Sequence, residues 1–137
     1  MDEVDALLRT SQAFDALLGL ELLEVTPDLV RATMAVRPEL LQPMGLVHGG
    51  VYASIAESVA SRGTAAGVLR DGGYAVGLSN HTSFLRPVSD GAIAALARPV
   101  HRGRTTWVWD VELLDDQQRR CAISRVTVAV RWQDSAP

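Results

Sequence analysis

The stretch of sequence that decides the fold is QPMGLVHGGVYASIAES, residues 42–58. It passes from a loop into a helix at the glycine pair Gly49-Gly50, where the backbone N–H groups of a helix start can face a ligand. Glu57 follows about two turns later and is the only acidic residue between positions 40 and 70. An acid among small, apolar residues is unfavourable to bury unless the protein uses it. We therefore expect Glu57 to be a buried functional group and the Gly49 amide to polarise a carbonyl.

The residues on both sides of Glu57 predict the one long helix of the chain, from His48 to about Val68, with a stop near residues 71–73. Glycine lowers helix stability by about 1 kcal/mol relative to alanine. Its repeated use inside this helix therefore indicates a close approach of backbone. We expect a strongly curved sheet to wrap tightly around the helix. The small residues of the helix are Ala53, Ala56, Ala60, Gly63, Ala65, Ala66 and Gly67.

Periodic and alternating patterns predict the other elements. Apolar residues at a rough helical period predict a helix over 4–18, closed by Gly19. Two strands precede the long helix, and four follow it as consecutive hairpins. This order predicts an α+β fold with the helix packed on one face of an antiparallel sheet, and a single domain over residues 1–137. The predicted strands are 20–25, 29–36, 74–85, 92–100, 104–114 and 121–132.

The composition narrows the class of protein. Apolar residues make up 47% of the chain and charged residues 21%, which excludes a disordered chain. The net charge is −3 and the basic residues are dispersed, so we expect no nucleic-acid binding. The single cysteine, Cys121, excludes an internal disulfide and fits a reducing compartment. Residues 2–5 are acidic, unlike a signal peptide, and no apolar run reaches the ~20 residues of a membrane span. We expect a cytoplasmic protein that enters no membrane.

Three motifs occur in order along the chain: the HGG-x6-E pattern of residues 48–57, NHTSFLRP at residues 80–87 and HRGRT at residues 101–105. Together they resemble the hotdog-fold acyl-CoA thioesterases, in particular the PaaI-like branch that includes the Arthrobacter-type 4-hydroxybenzoyl-CoA thioesterases. The resemblance spans residues 14–132. It implies an antiparallel curved sheet wrapped around one long central helix. It also implies a homo-oligomer, with a dimer at its core that is commonly assembled into a tetramer.

The resemblance implies that the chain hydrolyses an acyl-CoA thioester to a free acid and coenzyme A, and that it needs no further cofactor. In that branch the residue matching Glu57 attacks the carbonyl or activates water, and the amide matching Gly49 polarises the carbonyl. The match to Gln42 forms hydrogen bonds near the thioester, and a hydroxyl residue like Ser61 holds the water or the acid. His48 either orients the glycine loop, contacts substrate, or is only hydrogen-bonded to neighbouring backbone.

A second set of residues is predicted to bind substrate. The arginines of the turn at residues 101–105 suit the coenzyme A phosphates, although arginines at a turn are also commonly just solvated. Asn80 and His81 lie in mid-strand and either line the acyl pocket or face solvent. The three histidines fall on separate elements without ligand spacing, so no metal site is predicted. The predicted substrate-binding residues are Gly50, Asn80, His81, Arg86, Arg102, Arg104 and Thr105.

The spacing of Gly49 and Glu57 has a consequence for assembly. They are eight residues apart, which separates them by about 12 Å along one helix at 1.5 Å per residue. A glutamate side chain cannot cover that distance. Both groups can act on one thioester only if a second copy of the helix runs antiparallel alongside. We therefore predict that each site combines Gly49 of one subunit with the partner's Glu57 across a two-fold interface.

Two other functions stay open at this stage. A hotdog hydratase or dehydratase would pair a histidine with an acid, yet the motif expected around His48 is missing. A non-catalytic acyl-CoA-binding module would have no need of a buried acid such as Glu57. The acyl group is predicted only as small or aromatic, because each candidate aromatic residue lines either an acyl pocket or the core. These aromatic residues are Tyr52, Phe84, Trp107 and Trp109.

Overall fold

A computed structural model describes residues 2–133 of the chain. Its helices are α1 (Glu3–Arg9), α2 (Ala13–Leu18) and α3 (Gly49–Val68), with 3-10 turns at Pro38–Leu40 and Leu69–Asp71. Its strands are β1 (Leu20–Val25), β2 (Val30–Ala35), β3 (Gly73–Phe84), β4 (Ala92–Arg102), β5 (Thr106–Leu114) and β6 (Arg120–Trp132). Across residues 2–133, no helix combines the length and the apolar character needed to cross a bilayer.

The strands form one antiparallel sheet in the order β1-β2-β4-β5-β6-β3, and α3 packs against every strand of it. This confirms the predicted α+β hotdog architecture, an antiparallel sheet around one long central helix. The side chains that alternate along β5 and β6 bury their apolar members under α3, as the sequence pattern predicts.

The strand that follows α3 does not form a hairpin with the next strand, so the prediction of consecutive hairpins is wrong at this point. β3 pairs with β6 at the far edge of the sheet, and residues 85–91 cross back to β4. Val88 in this crossing is buried, and its carbonyl accepts a 2.8 Å hydrogen bond from the N–H of Val47. The crossing is therefore anchored to the core by Val88, while its other residues are exposed. It leaves one side of β3 as a free sheet edge.

The glycines inside α3 accommodate two tryptophan rings from β5. A Cβ atom added at Gly63 would lie 2.3 Å from Cη2 of Trp109, and one at Gly67 would lie 2.4 Å from Cη2 of Trp107. The indole N–H of Trp109 donates a 2.9 Å hydrogen bond to the hydroxyl of Thr64 on the same helix. The close approach is thus confirmed, but core side chains make it, not sheet backbone.

The N-terminal segment forms two short helices where the sequence pattern predicts one. The break falls at Thr10, whose hydroxyl donates a 2.6 Å hydrogen bond to the carbonyl of Ala6. The guanidinium of Arg62 on α3 donates to the carbonyls of Leu8 at 2.5 Å and Thr10 at 2.9 Å. These tertiary hydrogen bonds replace the helical ones, which ends α1 early. Gly19 ends α2 as predicted, with a φ of 77° that glycine adopts without strain.

We expect Gly63→Ala to lower the free energy of unfolding by about 1–3 kcal/mol, because the added methyl group would overlap the Trp109 ring in a filled core. Helix propensity alone predicts the opposite, a gain of about 1 kcal/mol. Urea unfolding followed by tryptophan fluorescence measures the difference. The control is Ser61→Ala, on the same helix and half-buried, with an expected change below about 0.5 kcal/mol. A Gly63→Ala protein as stable as the wild type would contradict the packing.

Candidate active site

His48 caps the N-terminus of α3. Its Nδ1 accepts a 2.8 Å hydrogen bond from the N–H of Gly50, and its carbonyl accepts one of 2.9 Å from the N–H of Val51. Of the roles that the sequence leaves open for His48, the structure supplies the backbone contact, and through it the side chain orients the glycine loop. The Gly50 amide, a predicted substrate contact, is occupied by this cap.

The His48 cap does not engage the amide of Gly49, the first residue of the helix. Within residues 2–133 no hydrogen-bond acceptor meets the Gly49 N–H. The amide lies at the positive end of the helix dipole, which favours negative charge. A Cβ added at position 49 would lie 2.7 Å from Cζ of Phe84, so the exposed Phe84 ring would have to shift to admit a side chain there. The structure therefore supplies a free donor at the position predicted to polarise a carbonyl.

Gln42 lies in the tight loop that precedes the cap. Its side-chain carbonyl accepts from the N–H of Met44, and its backbone N–H donates a 2.7 Å hydrogen bond to the carbonyl of Leu46. The carboxamide is therefore held by its oxygen, with its NH2 group available as a donor. Gln42 and Gly49 line one pocket of about 360 Å³ together with Arg86. The structure thus brings these three predicted residues together.

Glu57 lies in a separate pocket, and Phe84 lines both. The Glu57 side chain rests on the backbone of β3, since a Cβ added at Gly77 would lie 3.2 Å from its Cδ. Gly77 is thus part of the site, although sequence reasoning missed it. Contrary to the prediction of a buried acid, Glu57 is exposed in a single copy of the chain. The reason is that nothing within residues 2–133 covers the outer side of this part of α3.

Asn80 ties β3 to α3 beside Glu57. Its Nδ2 donates a 2.9 Å hydrogen bond to the carbonyl of Ala53, and its Oδ1 accepts one of 2.7 Å from the hydroxyl of Thr82. Of its two predicted positions, Asn80 takes the one that faces the helix. His81 points the other way, because side chains alternate along a strand, and lines a groove with Asp110 on the outer face of the sheet.

Ser61 does not line the pocket of Glu57. It is half-buried one turn further along α3 and lines a depression between α1 and β3, together with Leu7, Leu8 and Tyr74. Glu57 is the only ionisable side chain among the described residues that line its own pocket. Its neighbours there are Phe14, Ala53, Ser54, Ser58, Asn80, Thr82 and Phe84.

The basic turn between β4 and β5 lies at the other end of α3. Arg102 forms an ion pair with Asp28, and its guanidinium lies 5.6 Å from the centre of the Trp107 ring. Arg104 lies 5.2 Å from the centre of the Trp132 ring. Trp107 packs on the C-terminal part of α3, so these arginines and the neighbouring Thr105 are remote from Gly49 of the same chain.

A buried thiol is excluded from the chemistry. Cys121 is fully buried and donates a 3.2 Å hydrogen bond to the carbonyl of Leu113. Burial raises the pKa of the Cys121 thiol, so it is not a thiolate nucleophile at neutral pH. Burial likewise raises the pKa of the Tyr52 hydroxyl, which has no hydrogen-bond partner within residues 2–133.

Within residues 2–133 no cluster of His, Cys, Asp or Glu is suited to hold a metal ion. That the protein acts without a metal stays a prediction.

Comparison with known proteins gives consistent results. The family model of the thioesterase superfamily matches residues 44–122. The chain is 41% identical over 115 residues to the proofreading thioesterase EntH of Cronobacter turicensis. The aligned region covers 82% of each protein.

Solved structures agree with the sequence relatives. The crystal structure of thioesterase HI1161 from Haemophilus influenzae superposes with a TM-score of 0.86 at 32% identity, covering 96% of this chain and 92% of that one. A variant of thioesterase PA1618 from Pseudomonas aeruginosa gives a TM-score of 0.85 at 34% identity, covering 96% and 93%. The chain belongs to the thioesterase superfamily and is a thioester hydrolase with the hotdog fold.

Proposed function

We propose that the protein hydrolyses the thioester of a small or aromatic acyl-CoA to a free acid and coenzyme A. The observation that carries the proposal is the N–H of Gly49, which has no acceptor within residues 2–133, at the start of a helix that also bears the carboxylate of Glu57. A donor to the carbonyl oxygen and an acid that activates water or attacks the carbonyl both promote acyl transfer to water. We also propose that the protein is located in the cytoplasm.

The Gly49 amide is the group that we assign to the thioester oxygen. Negative charge develops on this oxygen as the tetrahedral intermediate forms, and a fixed donor at a helix N-terminus stabilises that charge without reorganising. The free NH2 group of Gln42 lines the same pocket and is a second donor to the same oxygen. These two donors would therefore bind the oxygen more strongly in the transition state than in the bound substrate.

Glu57 acts on the carbonyl carbon by one of two routes. As a general base it takes a proton from water, whose oxygen adds to the carbonyl, and collapse of the intermediate expels the coenzyme A thiolate, which is then protonated. As a nucleophile its carboxylate displaces the thiolate and forms an anhydride, which water then hydrolyses. Gly77 allows the carboxylate to lie against β3, and Asn80 holds the strand and the helix together at that point.

We propose that the two groups meet across a dimer. One side of β3 is an unpaired sheet edge, and such an edge is a template for pairing with another strand. A two-fold axis beside β3 would place α3 antiparallel to its copy, which would cover Glu57 and bring it to the partner's Gly49. Val76 on β3 and Leu78 at the irregularity of the same strand are 48% and 59% exposed. This apolar patch supports further assembly into a tetramer.

The coenzyme A moiety is proposed to extend along the dimer toward the basic turn. In an antiparallel pair the C-terminal part of one α3 lies beside the N-terminal part of the other. With Glu57 beside the partner's Gly49, the end of α3 at Gly67 extends ten residues, about 15 Å, past that thioester, so Arg102 and Arg104 would lie beside the coenzyme A moiety and not beside the thioester itself. Both guanidinium groups are exposed and lie against tryptophan rings; Nη2 of Arg102 pairs with Asp28, so its remaining N–H groups are the ones that phosphate oxygens would meet. Arg86, in the pocket of Gly49, is a further candidate.

A hydratase or dehydratase reaction is less well supported by the geometry. Such a reaction requires a histidine that exchanges protons with substrate; the motif expected around His48 is missing, and because Nδ1 of His48 accepts from the N–H of Gly50, only Nε2 could exchange protons. A non-catalytic acyl-CoA-binding module would bind the same ligands without turnover. Assays of thiol release and of binding, run on the same panel of acyl-CoAs, separate these functions.

Glu57→Gln is expected to lower kcat by about 10²-fold or more, because an amide neither accepts a proton from water nor attacks a carbonyl. Thiol release from a panel running from acetyl-CoA to benzoyl-CoA measures the effect. Glu39→Gln is the control, since this exposed acid lies outside the pocket, and it should retain full activity. Unchanged turnover in a folded Glu57→Gln protein would overturn the catalytic assignment.

The role of the Gly49 amide can be tested by deleting the N–H. Gly49 is the first residue of α3 and follows an extended residue, His48 at φ −63° and ψ 136°, a setting that proline favours. Gly49→Pro removes the donor, while Gly49→Ala introduces the same Cβ beside Phe84 and keeps it. We expect Gly49→Pro to lower kcat by about 10²–10³-fold relative to Gly49→Ala. Equal activity of the two folded variants would remove the amide from the mechanism.

A further inference from the structure

The pocket around Glu57 has two aromatic walls that belong to different parts of the chain. Phe84 comes from the end of β3 and Phe14 from the first turn of α2, and their side chains are 60% and 55% exposed. The remaining lining includes the polar side chains of Asn80 and Thr82. We infer that Phe14 is a specificity-determining residue whose ring contacts the acyl group of the substrate. This inference rests on the proposed thioester hydrolysis at Glu57.

The start of α2 is anchored directly to the helix that bears Glu57. Asp15 accepts a 2.6 Å hydrogen bond from the hydroxyl of Ser58 and a 2.8 Å ion-pair contact from Arg62. The Arg62 and Asp15 side chains are 16% and 14% exposed, so this contact is shielded from water and salt. Ser58 directly follows Glu57 in the chain. The anchor of the Phe14 backbone is therefore one residue from the proposed catalytic acid.

The end of α2 is held as firmly as its start. Nη1 of Arg37 donates a 2.8 Å hydrogen bond to the carbonyl of Leu18, and Nη2 donates to the carbonyl of Leu17. Leu18 is buried in the core. A helix of six residues is too short to be stable alone, so these contacts determine where it lies. Because contacts hold α2 at both ends, Phe14 is fixed in place as one wall of the pocket of Glu57.

The neighbouring residue Leu17 supplies a control within the same helix. Its side chain is 68% exposed, more than that of Phe14, and it lines the apolar groove beside the start of α3 but is not among the described residues that line the pocket of Glu57. Phe14 lines both that groove and the pocket of Glu57. The two side chains are therefore alike in apolar character and exposure and differ in their access to the acid.

The test measures kcat/KM of Phe14→Ala for acetyl-CoA, hexanoyl-CoA and benzoyl-CoA. For the largest acyl group that the wild type hydrolyses, we expect a decrease of about five- to tenfold, the size of one aromatic or apolar contact. For acetyl-CoA we expect a change of less than about twofold, because an acetyl group has little apolar surface to place against an aromatic ring. Leu17→Ala should leave the ratio between the substrates unchanged.

Asp15 is a positioning residue in this scheme, and a double variant tests that role. Asp15→Ala should shift the same substrate ratio in the same direction, and Phe14→Ala/Asp15→Ala should show no larger shift than Phe14→Ala alone. A purely structural role of Asp15 would lower the activity toward all substrates together.

Several outcomes would overturn the inference. An equal effect of Phe14→Ala on all acyl-CoAs, or the same selectivity change in Leu17→Ala, would remove Phe14 from the acyl site while leaving hydrolysis at Glu57 intact. Absence of turnover in the wild type, or full turnover in Glu57→Gln, would instead overturn the proposed function and this inference with it.

Discussion

An α-helix rises 1.5 Å per residue, and this fixed rise limits what a single copy of the protein can do. The free amide of Gly49 and the carboxylate of Glu57 belong to one helix, at backbone positions about 12 Å apart. The ring of Phe84 lines a pocket on each side and separates them. Neither group reaches a carbonyl held at the other. The chemistry that we propose would therefore require a second copy, and the unpaired edge of β3 is the place where we propose that it attaches.

Different parts of α3 have different tasks. Its C-terminal half is locked by tryptophan rings over Gly63 and Gly67, which holds the helix to the sheet and fixes its direction. Its first turn is held by the His48 cap, which engages the amide of Gly50 and leaves the preceding amide, that of Gly49, without an acceptor among residues 2–133. Between these regions, the side of α3 that bears Glu57 contacts β3 through Asn80 and α2 through Asp15. The packing that stabilises the helix is thus kept away from the two groups that are proposed to react.

Local patterns made much of this predictable. The alternation around Trp109 gave β5, and the glycine pair after His48 located the helix start. Each prediction that was wrong depends on contacts between residues that lie far apart in the chain. The pairing of β3 with β6 depends on the crossing of residues 85–91, which the buried side chain of Val88 anchors to the core. The break in the N-terminal helix depends on Arg62, more than 50 positions away. The exposure of Glu57 reflects a surface that one chain cannot cover, and the place of Phe14 in its pocket follows from tertiary anchors that no local pattern shows.

The most direct test of the shared site is the activity of a defined heterodimer. Gly49→Pro and Glu57→Gln subunits carrying different affinity tags are co-expressed, and the mixed dimer is purified through both tags. If each site joins Gly49 to the partner's Glu57, the mixed dimer has one intact site and one doubly defective site, and about half of the wild-type activity returns. If the two groups act within one chain, both sites are defective. A mixed dimer as inactive as its parents would contradict the shared site.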